Sequence, residues 1–259
     1  MLRQYIVDAF TDRVFGGNPA AVCVLDSYPE DELMMGITLE NNLSETAFAV
    51  PEGEGYHLRW FTPGGEIDFC GHATLATGFT ILNVYHPEWD RVKFYTMSGE
   101  MLVERKEDRY EMDLPAYDLQ PREVTDQMEK VLGFRPLEAW MARDLVCVLE
   151  NEEQVRNCTP DFAAMMELDG LMCHVTAMGS GEYDCVSRSF APKLRIPEDP
   201  VCGSGHCHIL PYWFDKLGKD SLDAWQASRR GGALHGEKEG SRIRLSGNAV
   251  LFAESVLHV

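Results

Sequence analysis

Two segments of the chain combine an acidic residue, a cysteine and a glycine at the start of a predicted helix. In Asp68–Ala73 and in Asp199–Ser204, the acidic residue precedes the Cys-Gly pair by two or three positions. The first turn of a helix has free backbone N–H groups and the positive end of the helix dipole, and glycine lets a ligand approach the backbone closely. The N–H groups of Gly71 to Ala73 and of Gly203 to Gly205 are therefore predicted to bind a small carboxylate, without an arginine.

The elements that position these helix starts follow from the hydrophobic pattern. Residues 71–85 are small or apolar on nearly every face, which is typical of a helix surrounded by a sheet. Residues 206–217 are predicted to form a second helix rich in apolar residues, and Thr125 is a candidate N-cap for a helix over 125–132. Short predicted strands alternate with helices in both parts of the chain. Because the same acidic-Cys-Gly pattern begins a helix in each part, we predict a divergent internal duplication, with one half in residues 1–115 and the other in residues 116–259.

The composition excludes several classes of partner. The chain has 259 residues and a formal net charge of −19, so its surface repels nucleic acid and anionic lipid. No stretch approaches the roughly 18 to 20 apolar residues of a membrane span, and the first residues lack the pattern of a signal peptide. Eight cysteines in such a chain are typical of a reduced protein. We expect a cytoplasmic protein with no nucleic-acid or membrane partner.

Seven motifs occur along the chain in a characteristic order. They are Asp8-Ala9-Phe10-Thr11, Gly17-Asn18-Pro19, Ser44-Glu45-Thr46-Ala47-Phe48, Cys70-Gly71-His72-Ala73-Thr74, Glu198-Asp199-Pro200-Val201-Cys202-Gly203-Ser204, Ser228-Arg229-Arg230-Gly231-Gly232 and Ser246-Gly247-Asn248-Ala249-Val250. Together they resemble, in order and spacing, the motifs of the phenazine-biosynthesis PhzF-like isomerases. The resemblance covers essentially the whole chain.

The resemblance implies an α+β fold of the diaminopimelate-epimerase type. Such a fold has two pseudo-symmetric halves, each a mostly antiparallel sheet rolled around a buried central helix, with the active site between the halves. It also implies a homodimer that uses no metal, flavin, nicotinamide or pyridoxal cofactor. The best-known member isomerises a dihydro-hydroxyanthranilate by moving a proton from one ring carbon to another. A small carboxylate-bearing substrate is therefore expected here.

The resemblance also assigns roles to residues. Glu45 corresponds to the glutamate that carries the proton, and His72, Asp199, Gly203 and Ser204 correspond to positions that line the substrate pocket. By its residue type alone, Glu45 at a strand end is typical of an exposed carboxylate. In a closed cleft, its pKa is expected to be raised, so that it serves first as base and then as acid. We expect His72 to be neutral, because the dipole of the helix that it begins disfavours imidazolium.

Other functions stay open on the same residues. Related racemases and epimerases of this fold use one cysteine from each half as base and acid, and Cys70 and Cys202 occupy those positions. A helix N-terminus lowers a thiol pKa, which suits that mechanism. A protein of this fold could also bind a ligand without turning it over. A metal site formed by Cys202, His206, Cys207 and His208 is disfavoured, because the paired spacing of zinc ligands is missing.

Overall fold

The computed structural model describes residues 1–259, and the chain divides into two compact units. The first unit contains Met1–Asp113 together with Ser246–Val259, and the second contains Leu114–Leu245. This differs from the predicted division, which placed all of residues 116–259 in the second half. The C-terminal segment belongs to the first unit because its strand, Ala249–Leu257, pairs along the length of the N-terminal strand, Leu2–Ala9.

The first unit consists of a mixed sheet, two α-helices and one π-helical turn at Ile81–Tyr85. Strands and helices are numbered in chain order through the whole protein. Those of the first unit are β1 Leu2–Ala9, β2 Asn18–Val24, α1 Asp31–Asn41, β3 Glu45–Glu52, β4 Gly55–Thr62, β5 Gly65–Ile67, α2 Gly71–Thr80, β6 Arg91–Thr96, β7 Gly99–Lys106, β8 Arg109–Pro115 and β18 Ala249–Leu257.

Strand pairing in the first unit alternates between antiparallel and parallel. β1 is antiparallel to both β18 and β2. β2 and β3 are parallel, β3 and β4 antiparallel, and β4 and β6 parallel. β7 then pairs antiparallel with β6 and with β8. The two parallel steps each need a crossover, which α1 and α2 provide.

The helix α2 is the buried centre of the first unit. It contacts β18, β1, β2, β3 and β7, which lie in widely separated parts of the strand order, so the sheet curls around the helix. The hydroxyls of Thr74, Thr77 and Thr80 donate to carbonyl oxygens one turn earlier, which satisfies them inside the core. A Cβ at Gly78 would lie 2.5 Å from Cγ1 of Val103, so close packing against β7 requires glycine.

The second unit repeats this plan. Its elements are β9 Gln120–Arg122, α3 Asp126–Leu132, β10 Glu138–Met141, β11 Leu145–Val148, α4 Glu152–Asn157, α5 Phe162–Met165, β12 Cys173–Met178, β13 Cys185–Ala191, a 3-10 turn at Pro192–Leu194, β14 Ile196–Asp199, α6 Gly203–Leu217, β15 Ser221–Gln226, β16 Gly232–Glu239 and β17 Arg242–Gly247. Thr125 caps α3 as predicted, since its Oγ1 accepts a hydrogen bond from the Met128 N–H at 3.2 Å.

The order of pairings in the second unit matches that of the first. β10 and β11 are antiparallel, β11 and β12 parallel, β12 and β13 antiparallel, β13 and β15 parallel, and β15 and β16 antiparallel. α6 contacts β12, β15 and β16, in the place that α2 takes in the first unit. The predicted fold class is therefore confirmed: an α+β chain with two similar halves, each with a sheet around a buried helix. Neither α2 nor α6, nor any other helix, is long and apolar enough to span a membrane.

A proline inside α6 frees one backbone acceptor. Pro211 has no N–H, so the carbonyl oxygen of Cys207, four residues earlier, has no helical partner there. The backbone N–H of Tyr117 donates to that oxygen at 3.0 Å. The proline thus fastens the segment that precedes β9 to the middle of α6.

Candidate active site

Glu45 is the first residue of β3, directly after the turn that ends α1. Asn42 ends the helix in the left-handed conformation, with a φ of 50°, which asparagine tolerates better than most residues. The parallel pairing of β2 and β3 then sets Glu45 beside Ala20. Glu45 is only 7% exposed, although a glutamate at a strand end is usually solvated.

His72, in the first turn of α2, contacts Glu45. Its Nε2 lies 3.1 Å from Oε2 of Glu45 and 3.5 Å from Oγ of Ser44, and its Nδ1 lies 3.5 Å from Sγ of Cys70. The Oε2 atom is buried and makes no hydrogen bond of good geometry, although the imidazole lies at ion-pair distance. Glu45, His72 and Cys70 thus form one buried cluster in which a carboxylate oxygen can still accept a hydrogen bond or a proton.

The electrostatics of this cluster reverse two predictions. Burial raises the pKa of Glu45, but the charge of His72 and the contacts with His72 and Ser44 bring it below its usual value. Burial lowers the pKa of His72, but its contacts with Cys70 and Glu45 raise it well above its usual value. The predicted raised glutamate pKa and the predicted neutral histidine are both wrong, because each group is the counter-ion of the other.

Cys70 is the N-cap residue of α2, and its thiol is buried. Burial raises its pKa and the charge of Glu45 raises it further, while the charge and hydrogen bond of His72 and the backbone N–H of Ala73 lower it by less. The group is therefore a neutral thiol near pH 7, which leaves Glu45 as the counter-ion of His72. The start of α2 therefore does not lower the pKa of Cys70 enough to form a thiolate, which a cysteine acting as a base would need.

Cys202 occupies the equivalent position at the start of α6. Its Sγ accepts a hydrogen bond from the Gly205 N–H at 3.2 Å and lies 3.5 Å from Oγ of Ser204. Burial and the charge of Asp199 raise its pKa well above the usual value, by more than the contacts with Ser204 and Gly205 lower it. Four of the predicted site residues in this unit, Asp199, Cys202, Ser204 and Gly205, therefore form one group, and Gly203 lies between them as the first residue of α6.

Gln226, a residue without a sequence signal, fixes the entry to α6. Its Oε1 accepts from the Cys202 N–H at 2.8 Å and its Nε2 donates to the Asp199 carbonyl at 2.6 Å. Ser228 donates to the Pro200 carbonyl at 2.7 Å. These contacts bind the end of β15 to the loop between β14 and α6.

The cysteines and histidines crowded near the start of α6 do not converge on one point. The side chains of His206, Cys207 and His208 each contact a carbonyl oxygen one turn earlier in the same helix. Burial lowers the pKa of His206 to about 4 and that of His208 to about 3, so both are neutral at pH 7. The Nδ1 atoms of His206 and His208 therefore contact the helix backbone.

A buried polar cluster next to Ser204 has no counterpart in the sequence prediction. His174 on β12 has its Nδ1 2.9 Å from Oγ of Ser189 and its Nε2 3.3 Å from Oδ2 of Asp144. Asp144 also accepts from Arg143, whose Nη2 donates to Oγ of Ser204 at 3.3 Å. Burial raises the pKa of Asp144, but hydrogen bonds and charges from His174 and Arg143 bring it well below its usual range.

Two sets of side chains have possible metal-ligand atoms within 4.8 Å of one another, Glu45–Cys70–His72 and Asp144–His174–His208. In the first, the thiol and the imidazolium would each release a proton on binding a metal. In the second, the guanidinium of Arg143 already neutralises Asp144 at 2.6 Å.

Comparison with known proteins gives consistent matches. A family model described as phenazine biosynthesis-like protein, PhzC-PhzF, matches residues 7–255. An uncharacterized isomerase of Pseudomonas aeruginosa is 48% identical over 255 residues, which are 97% of each chain. The crystal structure of a PhzF-family phenazine biosynthesis protein from Enterococcus faecalis superposes with a TM-score of 0.97 at 47% identity, covering 100% of this chain and 99% of the other. A probable proline racemase from Agrobacterium radiobacter shares the fold alone, with a TM-score of 0.68 at 11% identity over 100% and 93% of the two chains.

Proposed function

Because this chain belongs to the PhzC-PhzF family of phenazine biosynthesis-like proteins, we propose that it is an isomerase that moves a proton on a small carboxylate-bearing substrate, with Glu45 as the proton carrier and no cofactor. The observation that supports this most is the buried Glu45–His72 pair, in which Oε2 of Glu45 has no hydrogen bond. A buried, ionised carboxylate beside a protonated histidine is both a base and a proton store.

The proton balance of the reaction follows from the state of this pair. Near pH 7, Glu45 is a carboxylate and His72 an imidazolium, because the pKa of the first is lowered and that of the second is raised. Oε2 takes a proton from a substrate carbon, and the C–H electron pair stays with the substrate as a delocalised carbanion. The pair then holds two protons and returns one to a different carbon. The product is an isomer, and the protein ends in its starting state.

The proposed substrate residues of the second unit are Asp199, Gly203, Ser204 and Gly205, and those of the first are Gly71, His72 and Ala73. Ser204 offers a hydroxyl, and the first turns of α2 and α6 offer backbone N–H groups. A carboxylate suits these donors, since charge-assisted hydrogen bonds are the stronger ones.

The test is solvent deuterium incorporation into a dihydro-hydroxyanthranilate, followed by mass spectrometry. Glu45→Gln keeps the shape of the side chain but cannot hold the transferable proton, so exchange should fall by about 10² to 10⁴ while ligand affinity stays within about tenfold. Glu52→Gln is the matched control, because Glu52 is an exposed glutamate at the other end of β3. Its exchange rate should equal that of the wild-type protein.

The two-cysteine mechanism predicts the opposite outcome. Cys70→Ser or Cys202→Ser would abolish exchange, and Glu45→Gln would keep it. The raised pKa values of both thiols argue against this outcome, since a racemase needs one of the two as a thiolate. A wild-type protein that binds the ligand but incorporates no deuterium would be a binding protein, and the proposal would be wrong.

A further inference from the structure

Arg143 lies in the tight turn between β10 and β11, beside the first turn of α6. Backbone hydrogen bonds fix the turn: the Leu171 N–H donates to the Arg143 carbonyl at 3.1 Å, and the Ala142 N–H donates to the Asp144 carbonyl at 3.2 Å. The Arg143 side chain is 32% exposed, although the carboxylate next to it is fully buried. The Arg143 guanidinium is therefore partly accessible to solvent, and the turn that carries it is fixed by backbone hydrogen bonds.

One edge of the guanidinium is held by Asp144. Nε donates to Oδ1 at 3.1 Å and Nη2 donates to Oδ2 at 2.6 Å, which is the two-point geometry that arginine and carboxylate prefer. Asp144 is itself held by the Met172 N–H at 3.3 Å and by His174 at 3.3 Å. The carboxylate that orients Arg143 is therefore fixed from two further directions.

The face of the guanidinium is held by Tyr117. The arginine Cζ lies 5.4 Å from the centre of the tyrosine ring. That ring stacks in turn on His208, with centroids 3.9 Å apart and planes 13° apart. The Tyr117 N–H is fastened to the Cys207 carbonyl that Pro211 leaves free. Because Asp144 holds the edge of the guanidinium and Tyr117 holds its face, the Arg143 side chain loses little conformational entropy when a ligand binds.

Arg143 keeps hydrogen-bond donors that the protein does not use. Nη2 also donates to Oγ of Ser204, a proposed substrate residue, at 3.3 Å. The hydrogen bonds of the side chain to the protein come from Nε and Nη2, which leaves both N–H bonds of Nη1 available. A guanidinium pairs with carboxylate or phosphate better than with neutral groups.

We propose that Arg143 is the ionic anchor for the carboxylate of the ligand, held in its binding orientation by Asp144 and Tyr117. The inference rests on the proposed function, because it is the proposed substrate residue Ser204 that places Arg143 in the site. It revises the expectation that backbone N–H groups alone hold the anion. It also narrows the substrate class, because a ligand with a neutral amide in place of the carboxylate should bind much more weakly.

The test is a binding titration of the full-length protein with benzoate, its neutral analogue benzamide and inorganic sulfate, monitored by the ¹H–¹⁵N signal of the arginine Nε–H groups. Arg143→Lys identifies the Arg143 signal, and benzoate and sulfate should shift that signal while benzamide should not. Arg143→Gln should weaken benzoate binding by about tenfold or more, with Arg143→Lys intermediate. Arg135→Gln is the matched control, since Arg135 is a surface arginine of the same unit paired with Asp126 and Glu129.

The outcomes separate this inference from the proposed function. Glu45→Gln should leave benzoate binding intact, because Glu45 is not part of the anchor. If benzoate fails to shift the Arg143 signal, or binds Arg143→Gln as it binds the wild-type protein, the anchor is wrong while deuterium exchange by Glu45 can still be correct. If Arg143→Gln weakens benzoate binding but the wild-type protein exchanges no deuterium, the anchor stands and the isomerase proposal fails.

Discussion

The Glu45–His72 pair predicts a stability difference that depends on pH in a specific way. At 3.1 Å the attraction of the two charges is about 5 kcal/mol for an effective dielectric constant of about 20. Desolvation of two nearly buried groups offsets much of it. We therefore expect Glu45→Gln to lower the free energy of unfolding by about 1–3 kcal/mol where both groups are charged.

The pH window follows from the direction of each shift. The lowered pKa of Glu45 gives stability that is present above its unfolded value of 4.5 and is lost as pH falls through the folded value. The raised pKa of His72 gives stability that is present below its unfolded value of 6.5 and is lost as pH rises through the folded value. The difference between wild type and Glu45→Gln should therefore be largest between pH 4.5 and 6.5 and decrease on both sides.

Urea unfolding of both proteins across this range measures the difference, with Glu52→Gln as a control that should show no such maximum. NMR of the His72 ring gives an independent readout, because its pKa should fall in Glu45→Gln once burial acts without the counter-ion. A stability difference that is flat with pH, or that grows above pH 6.5, would refute the ion-pair assignment.

Two further substitutions test the packing of α6 and the capping of α3. Gly205→Ala should destabilise the protein by about 1–3 kcal/mol, because a Cβ there would lie 2.6 Å from Cε1 of the buried His174. Thermal unfolding measures this loss of stability. The control Gly36→Ala has no atom within 4 Å of the new Cβ and should be neutral or stabilising. Thr125→Ala should lower the free energy of unfolding by about 1 kcal/mol through loss of the α3 N-cap, whereas Thr125→Ser, which keeps the hydroxyl, should retain most of that stability. Equal losses in the two variants would argue against the hydroxyl contact with Met128.

The helices at the centre of each unit could be predicted because their sequence is apolar all round, but one core strand could not. In β16, the inward positions are Gly232, Leu234 and Gly236. Glycines contribute nothing to a hydrophobic alternation, yet Gly236 is needed there, since a Cβ would lie 2.4 Å from Cδ1 of Leu210. Because α6 packs closely on β16, glycines replace the apolar side chains whose alternation would have identified this strand.

Only the part of the site that lies in local motifs could be predicted. Glu45, His72 and Cys70 stand in local motifs, so their positions could be read from the chain, but the sign of their pKa shifts depends on a contact between β3 and α2. Arg143, Asp144 and His174 belong to no motif. They meet because β11 and β12 pair in parallel, with Leu145 opposite Cys173 and Val146 opposite His174. Such a cluster can be found only once the register is known.

The return of the C-terminal strand to the first unit has a consequence for synthesis. A chain leaves the ribosome from its N-terminus, and domains tend to fold in that order. Here residues 114–245 are complete before β18 exists, whereas the first unit must wait for residues 246–259. Until then, the edge of β1 that later pairs with β18 is unprotected, and such edges invite pairing with other chains. The unit that is translated first is therefore the last to be finished, and a chain stalled after residue 245 would expose an open β1 edge.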